Sequence, residues 1–244
     1  MPDIIVQDLR FSYPKRFHHS AQAALKGFSA TFLSNKVNVI LGASGSGKST
    51  LLRILLGLED DYDGGIAFGE KNADDIKAKD RNIGYVPQEI SLHPRMTIFQ
   101  NIAFPLMNLH APGEEIRERV EEVAELMGIA ELLVRKPKEL SVGQNQRAAI
   151  AKALIRNPKY LFFDEPFSHL DKERAEGMQR DIKPILNSRN ITSLYVTHNV
   201  TDALLWGDYI FVMEDGKLLS KGTPGEVFES KDPAVQGYFQ ELER

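Results

Sequence analysis

The chain has 244 residues, 42% of them hydrophobic, which is enough to bury a sizeable core as one large domain or as one domain with an inserted subdomain. Charged residues make up 26% of the chain but leave a net charge of only −4, so no overall positive field favours nucleic acid or anionic lipid as a partner. The absence of cysteine excludes disulfides and thiolate metal sites and fits a reducing compartment.

The N-terminus and the apolar runs indicate where the protein works. The first residues include an early acid and lack the basic start and apolar stretch of a signal peptide. The longest apolar runs, such as residues 160–163 and 200–206, are far shorter than the roughly 20 residues that a membrane helix needs. We therefore expect a cytosolic protein without a transmembrane segment, which meets a membrane only through a protein partner.

The early part of the chain predicts strands followed by a helix. Residues 3–9, 27–32 and 36–41 are rich in β-branched or aromatic residues and are bounded by turn formers, as strands are. Residues 16–22 are expected to form only a polar loop. The third strand runs into a glycine-rich turn, and apolar residues then recur at helical spacing over residues 47–58. The sequence therefore predicts a strand–loop–helix unit at this point.

The later part of the chain predicts a parallel sheet with helices between its strands. Short, strongly apolar runs predict buried strands at residues 81–86, 159–163, 191–196 and 209–213. Residues 214–216 predict the turn of a final hairpin. Residues 88–140 show only helical patterns, supported by charge pairs such as Glu115–Arg119. We expect a helical insertion within an α/β core.

Residues 42–49 read Gly-Ala-Ser-Gly-Ser-Gly-Lys-Ser and match the pattern G-x-x-x-x-G-K-S/T of a phosphate-binding loop. They follow a predicted strand and open a predicted helix, as the chemistry requires. Glycines let successive backbone N–H groups surround the β-phosphate, while Lys48 neutralises phosphate charge and the Ser49 hydroxyl reaches Mg²⁺. The alternative is a glycine-rich turn with an incidental lysine, and the flanking elements argue against it. The expected ligand is a nucleoside triphosphate.

Two acids follow the predicted strand at residues 159–163. Because they end an apolar strand, Asp164 and Glu165 are expected at the carboxyl edge of the sheet, beside the phosphate loop. Asp164 is then expected to hold Mg²⁺ through water, and Glu165 to accept a proton from the water that attacks the γ-phosphate. An acid pair after a strand can also cap a helix, and the phosphate loop upstream weakens that alternative.

Residues 140–147, Leu-Ser-Val-Gly-Gln-Asn-Gln-Arg, lie just ahead of the strand that ends in the two acids. They resemble the signature motif that separates ABC ATPases from other phosphate-loop proteins. Taken alone, Ser141 with Gln144 is a capping box, which indicates only an ordinary helix start. The length of the match and its position favour the signature motif.

The resemblance to ABC nucleotide-binding domains covers nearly the whole chain and extends to four further residues. It implies that Tyr13 stacks on adenine, that Gln88 is the Q-loop glutamine and that His198 is the switch histidine. It also implies that Asp171 is the acid of the D-loop. Without this context, Tyr13 could be strand packing, Gln88 a loop amide and His198 an ordinary satisfied histidine.

The resemblance implies an α/β fold, with a P-loop NTPase core, a mixed β-sheet, an N-terminal antiparallel β-subdomain and an inserted α-helical subdomain: the ABC ATPase fold. Residues 1–244 are then one domain. Residues 1–87 and 159–244 are expected to form the catalytic core with its β-subdomain, and residues 88–158 the helical subdomain that bears the signature motif.

The resemblance also implies a head-to-tail dimer, formed with a second copy or with a paralogous ATPase subunit, in which ATP joins the two halves. Signature residues of one subunit would approach the γ-phosphate held by the other. The residues expected to bind ATP are Tyr13, Gly42, Ala43, Ser44, Gly45, Ser46, Gly47, Lys48, Ser49, Thr50, Gln88, Ser141, Gly143, Gln144 and Asp171. The residues expected in catalysis are Glu165, His198, Lys48 and Gln88. The residues expected to hold Mg²⁺ are Ser49, Gln88 and Asp164.

A chain without a membrane span implies, within this family, a transporter assembled from separate subunits, the layout usual for bacterial importers. Residues 90–106 resemble the segment of sugar, polyamine and iron importer ATPases that receives the coupling helix, although their hydrophobic side chains could instead be subdomain core. The expected partners are multi-span permease subunits and, at the level of the complex, a solute-binding protein, with no nucleic acid. The expected location is the cytoplasmic side of the cell membrane, as a peripheral protein.

Two other classes of function are weaker alternatives. A soluble ABC ATPase that acts in DNA repair or translation would carry long coiled coils or tandem cassettes, and the sequence shows neither heptads nor a second phosphate loop. A phosphate-loop kinase or a pure binding module would leave the signature motif and Glu165 without a purpose.

The sequence departs from the family pattern at a few positions. Val142 stands where glycine is usual, and its branched side chain near the partner's nucleotide can slow closure or turnover. His169 replaces a small residue, and Asn199 follows His198 where an acid is common. Because residues 222–228 resemble the end of the catalytic domain, we expect no regulatory β-domain of the kind found in many sugar-importer relatives.

Overall fold

A computed structural model describes residues 4–14 and 22–239 of the chain. The polar loop expected over residues 16–22 lies outside the described residues, apart from Gln22. The described residues form two compact units. The first unit combines residues up to 81 with those from 192 onward, and the second unit is Asn82–Ile191.

Strands and helices are labelled in chain order. The strands are β1 (Ile4–Tyr13), β2 (Gln22–Phe32), β3 (Val37–Leu41), β4 (Asp63–Phe68), β5 (Lys71–Asn72), β6 (Ile83–Val86), β7 (Tyr160–Asp164), β8 (Thr192–Thr197), β9 (Tyr209–Glu214) and β10 (Lys217–Gly222). The α-helices are α1 (Lys48–Leu56), α2 (Ile98–Met107), α3 (Gly113–Leu126), α4 (Val142–Leu154), α5 (Lys172–Ser188), α6 (Val200–Trp206), α7 (Pro224–Phe228) and α8 (Pro233–Phe239). Short 3-10 turns connect several of these elements.

The first unit contains an antiparallel sheet and a mainly parallel one. The antiparallel sheet has the strand order β2-β1-β4-β5. In the other, β3 lies between β8 and β9 and is parallel to both, while β10 turns back antiparallel to β9 through the predicted hairpin. Every residue of β3 and β8 is buried, as expected for parallel strands covered on both faces. The carboxyl end of β3 leads directly into the phosphate loop.

The second unit pairs β6 with β7 in parallel, and helices α2, α3 and α4 pack on one another. The predicted charge pair Glu115–Arg119 forms on α3, with a distance of 2.9 Å. Strand β7 is buried along its whole length and ends at Asp164. No helix in the described part of the chain is long and apolar enough to cross a membrane.

The structure adds strands to those expected from the sequence. Strands β4 and β5 were not predicted, because their composition is rich in turn formers, and they form by pairing with β1 and with each other. The compact units divide the chain at 81/82 and 191/192, and the subdomain boundaries at 87/88 and 158/159 stay a prediction. The pairing of β6 with β7 and the packing of α4 on β6 explain where the compact units divide, because they join these strands to the helices.

Candidate functional site

The phosphate loop of the first unit has a backbone that only glycine accommodates at two positions. Gly45 has φ +82° and Gly47 has φ +104°, in the left-handed region that residues with a Cβ rarely adopt. A Cβ atom at Gly47 would also lie 2.5 Å from the carbonyl oxygen of Ala24 on β2. The loop is therefore curled against the strand behind it, and its N–H groups lead into the N-terminus of α1.

The loop contains a buried lysine ammonium group. Lys48 is only 4% exposed, and its Nζ donates to the carbonyl oxygens of Gly42 at 2.8 Å and Ala43 at 2.9 Å. The Ser46 hydroxyl is also buried and makes no hydrogen bond. A buried ammonium group and an unsatisfied hydroxyl in a glycine-rich loop fit an anionic group such as a phosphate, which would accept from both.

Other predicted residues of the first unit lie around this loop. The Gly42 amide donates to the Thr197 carbonyl at 3.2 Å, so His198, which follows β8 and is exposed, is next to the start of the loop. The hydroxyls of Tyr13 and Thr50 share a hydrogen bond of 3.1 Å, which attaches the end of β1 to α1. Ser49 exposes its side chain on the first turn of α1.

Tyr238 was not predicted as part of this site. Burial raises the pKa of its phenol, and a hydrogen bond from the Ala43 backbone N–H opposes that shift. Helix α8 therefore brings a tyrosine to the phosphate loop from almost 200 positions away. Nothing in the sequence indicates this contact, since Tyr238 belongs to no motif and lies near the end of the chain.

In the second unit, the two predicted acids lie at the end of β7, and the second of them has an unusual backbone conformation. Asp164 is 9% exposed, and its Oδ2 accepts from the Tyr85 hydroxyl on β6 at 3.4 Å. Glu165 has φ +46°, an uncommon and strained value for a residue with a side chain. The backbone N–H and hydroxyl of Ser168 donate to the Glu165 carbonyl at 3.2 and 2.9 Å and stabilise this turn. Strain of this kind concentrates at functional sites.

Gln88 and Asp171 are the other predicted site residues of the second unit outside the signature motif. Gln88 is exposed and follows β6, whose Val86 pairs with Phe163 of β7, so Gln88 extends from the same edge as the acids. Asp171 caps α5: its Oδ1 accepts from the Arg174 backbone N–H at 3.1 Å, and its Oδ2 pairs with the Arg174 side chain at 3.2 Å. The contact of Tyr85 with Asp164 was not predicted.

The signature motif forms the start of α4. Ser141 and Gln144 make the predicted capping box: the Ser141 hydroxyl accepts from the Gln144 N–H at 3.3 Å, and the Gln144 side chain accepts from the Ser141 N–H at 2.9 Å. A groove of about 600 Å³ lies between this helix start and α5. Its lining residues are Ser141, Gly143, Gln144, Arg147, Arg174, Gly177, Met178, Arg180 and Asp181. Arg174 and Arg180 were not predicted, because on a helix surface they look like ordinary solvated residues.

Comparison with known proteins identifies the family. The sequence profile of a family described as ABC transporter matches residues 25–168. The chain belongs to the ABC transporter family. A solved structure of another ABC transporter cassette, the dimeric post-hydrolysis state of the ATP-binding cassette MJ0796 bound to ADP and Pi, has a TM-score of 0.80 and 28% identity over 91% of this chain and 98% of that chain. This similarity confirms the predicted α/β ABC ATPase fold.

Curated relatives from the ABC transporter family are similar along most of the chain. The oligosaccharides import ATP-binding protein MsmX of Bacillus subtilis (strain 168) is 39% identical over 232 residues, which are 95% of this chain. The trehalose/maltose import ATP-binding protein MalK of Thermococcus litoralis is 42% identical over 212 residues, which are 84% of this chain. The chain spans 64% and 57% of the length of these two relatives, respectively.

Proposed function

We propose that this chain binds and hydrolyses ATP and powers solute import through separate membrane permease subunits. The observation that carries the proposal is the phosphate loop, with glycines at positive φ and the buried Lys48 ammonium held by loop carbonyls. A loop of this kind favours the triphosphate of a nucleotide, because it offers N–H donors and a positive charge in one concave backbone. Family membership supports ATP as the nucleotide.

Residues of the first unit have separate roles in binding. Lys48 would leave the carbonyls of Gly42 and Ala43 to neutralise charge on the β- and γ-phosphates, and the Ser46 hydroxyl would gain the partner that it lacks. The loop of residues 42–50 would surround the phosphates. Tyr13 would stack on adenine through its aromatic ring.

The donors that we propose for Mg²⁺ are the Ser49 hydroxyl, the Gln88 amide oxygen and the Asp164 carboxylate. All three are oxygen donors, which Mg²⁺ prefers. In residues 4–14 and 22–239, no group of three or more His, Cys, Asp and Glu side chains could hold a metal ion alone. This fits an ion that proteins usually hold through one or two carboxylates together with phosphate oxygens. When bound, Mg²⁺ would neutralise charge on the transferred phosphoryl group.

Glu165 is the proposed general base for hydrolysis. Its side chain is half-buried at the end of β7, and its carboxylate would accept a proton from the attacking water. Ser168 stabilises the turn that begins at Glu165, which sets the direction in which this side chain leaves the backbone. His198 and Gln88 are exposed at the ends of β8 and β6, and we propose that they orient the γ-phosphate and the water.

We also propose that two ATPase subunits, either two copies or this chain with a paralogue, dimerise head to tail around two ATP molecules. Ser141, Gly143 and Gln144 would then contact the nucleotide held by the other subunit, with Asp171 beside them. The groove that these signature residues line contains Arg147 on α4 and Arg174 and Arg180 on α5, and Arg147 pairs with Asp181. These arginines support an anionic ligand from a partner. The dimeric state of the cassette MJ0796 supports dimerisation.

The import direction is supported by the relatives, which are named as import ATP-binding proteins. We propose that residues 90–106, which contain the start of α2, form the docking surface for a multi-span permease on the cytoplasmic side of the membrane, and that a solute-binding protein completes the complex. Both relatives named above serve saccharide import, so a saccharide is the first cargo to test.

Co-purification tests the transport function. A tagged Glu165→Gln chain is purified from native membranes in mild detergent with Mg-ATP, and the proteins that come with it are identified by mass spectrometry. We expect a multi-span permease, and a solute-binding protein whose bound ligand identifies the cargo. The matched control is Glu173→Gln, an exposed glutamate on the first turn of α5. Recovery of only ribosomal or DNA-repair proteins would contradict the transport function.

A further inference from the structure

The tip of the β9–β10 hairpin touches the phosphate loop. Asp215 and Gly216 form this tip, with φ +45° and +75°, as tight hairpin turns require. The Gly216 backbone N–H donates to the carbonyl oxygen of Ser46 at 2.9 Å. A Cβ at Gly42 would lie 2.3 Å from the Met213 carbonyl oxygen, so β9 supports the start of the same loop. The loop therefore rests on the end of this hairpin.

The hydrogen bond to the Ser46 carbonyl also orients the N–H group of the same peptide. The Ser46 carbonyl and the Gly47 N–H belong to one planar trans peptide, in which the two groups point in opposite directions. Holding the carbonyl toward Gly216 therefore directs the Gly47 N–H away from the hairpin. Gly47 is the residue just before α1, where N–H groups at a helix N-terminus bind phosphate. The hairpin tip thus controls the direction of one phosphate-binding donor.

The hairpin tip is itself held by β2. The Lys26 backbone N–H donates to the Gly216 carbonyl at 2.9 Å, and the Lys26 ammonium pairs with the Asp215 carboxylate at 2.5 Å. The ammonium is about one-third exposed and the carboxylate is largely exposed. A chain of contacts therefore runs from the Lys26–Asp215 ion pair, through the peptide of Gly216, to the peptide between Ser46 and Gly47.

We infer that Lys26 and Asp215 are positioning residues for nucleotide binding, because their ion pair holds the hairpin tip that orients the Gly47 N–H. The inference rests on the proposed ATP binding and names two residues outside the binding loop that raise the affinity for nucleotide. Neither side chain touches the nucleotide. We expect them to change the affinity for the β-phosphate. Mg-ADP carries this phosphate, so it is sufficient as a probe, and no hydrolysis complicates the measurement.

The test compares Mg-ADP dissociation constants of the full chain by isothermal titration calorimetry. Asp215→Asn removes the charge but keeps a residue type that tolerates positive φ, and Lys26→Met removes the ammonium but keeps the length of the side chain. We expect each variant to raise the dissociation constant by roughly two- to fivefold, the range of an exposed ion pair. The double variant should be no weaker than either single one. Steady-state KM for ATP should rise by the same factor, with kcat unchanged.

Two controls separate this role from a loss of stability. Lys26→Arg keeps the charge and should bind Mg-ADP as the unchanged chain does. Glu121→Gln breaks another exposed ion pair, Arg117–Glu121 on α3, and should leave the dissociation constant unchanged. The ratio of the Mg-ADP dissociation constant of Asp215→Asn to that of the unchanged chain should also approach one as KCl rises from about 0.05 to 1 M, because salt screens the Lys26–Asp215 ion pair.

The outcomes are distinct. Equal dissociation constants for the unchanged chain and Asp215→Asn would overturn the inference, as would additive effects of Asp215→Asn and Lys26→Met, since the residues would then act separately. Failure of the unchanged chain to bind Mg-ADP or Mg-ATP would instead contradict the proposed function. The ion pair is supported as the cause if the ratio of the Asp215→Asn dissociation constant to that of the unchanged chain falls toward one with salt. In the Lys26→Met background, Asp215→Asn should then leave the dissociation constant unchanged.

Discussion

The phosphate loop and the signature motif both begin a helix, but they are built in different ways. The phosphate loop depends on backbone: Gly47 has φ +104°, and the Lys48 ammonium is buried among loop carbonyls. The signature motif depends on side chains: Ser141 and Gln144 cap α4 reciprocally, and Val142 beside them is 49% exposed. The first site is preformed by its own unit, whereas the second presents an exposed surface suited to a partner.

Glu165→Gln gives the largest expected effect. It should stop hydrolysis without altering the phosphate loop or the signature motif. The amide cannot accept the proton of the attacking water, so we expect the steady-state ATPase rate to fall by about 10²- to 10⁴-fold. The phosphate loop is not altered, so Mg-ATP should still bind, with an affinity that equilibrium titration measures. Glu173→Gln, on the first turn of α5, should keep the full rate. A rate within about tenfold of the unchanged chain would remove Glu165 as the base.

Substitution of the loop glycines tests how far the phosphate loop depends on backbone. In Gly47→Ala the new Cβ meets the Ala24 carbonyl and the residue is at positive φ, which together cost about 1–3 kcal/mol and should weaken Mg-ATP binding by roughly 5- to 150-fold. Gly45→Ala has the same kind of φ but open space around its Cβ, so its effect should be smaller.

The measurement is Mg-ATP titration on folded protein, with Gly113→Ala as the control. Gly113 starts α3 at ordinary φ, and nothing lies within 4 Å of its would-be Cβ, so its substitution should leave affinity unchanged. Equal affinities for Gly45→Ala and Gly47→Ala would show that strain alone matters and that the contact with β2 does not.

The same contrast explains what the sequence could predict. Local patterns gave the strand–loop–helix around Lys48, the buried strand before Asp164, the capping box of Ser141 with Gln144, and the final hairpin. In each, the determinants lie within a few residues of one another, so composition and spacing carry the information. The ABC ATPase fold followed from the resemblance of these motifs to those of ABC nucleotide-binding domains.

Features made by distant residues could not be predicted. Strand β4 begins with Asp-Gly-Gly, which reads as a turn, and it becomes a strand because Val6 of β1 pairs with Ile66. The bond from Tyr85 to Asp164 and the contact of Tyr238 with Ala43 arise only when separate segments meet. Tertiary pairing overrides local propensity in these cases.

Val142→Ala tests the exposed side of the comparison. The branched Val142 side chain covers the surface that we propose for a partner's nucleotide, so its removal should raise the ATPase rate at saturating ATP by about two- to fivefold, or up to about 1 kcal/mol of barrier. Val142→Thr keeps the branched shape and should behave as the unchanged chain does. An unchanged or lower rate for Val142→Ala would exclude shape at this position as a limit on turnover. Affinity for Mg-ADP should not change, because the phosphate loop is untouched.

The smallest expected effect comes from Tyr62→Phe, which alters the first unit without touching the phosphate loop. The Tyr62 hydroxyl donates to the Asp74 carboxylate at 2.9 Å, and burial, followed by this hydrogen bond and the Asp74 charge, raises the pKa of Tyr62 from 10.0 to about 12. Between pH 10 and 12 the unfolded chain therefore loses a proton that the folded chain keeps. The free energy of unfolding must fall as pH rises through this window.

In Tyr62→Phe this fall should be shallower, and below pH 10 the variant should be less stable by about 1 kcal/mol or less, the contribution of one partly exposed hydrogen bond. Urea unfolding at several pH values measures both effects, and subtraction of the two curves removes the other tyrosines, which titrate in both proteins. Parallel curves would contradict the raised pKa. Mg-ADP affinity at neutral pH should be the same in both proteins, because stability lost in this region does not reorient any donor of the loop. If affinity fell together with stability, the effects of loop variants such as Gly47→Ala would have to be attributed to the unit as a whole.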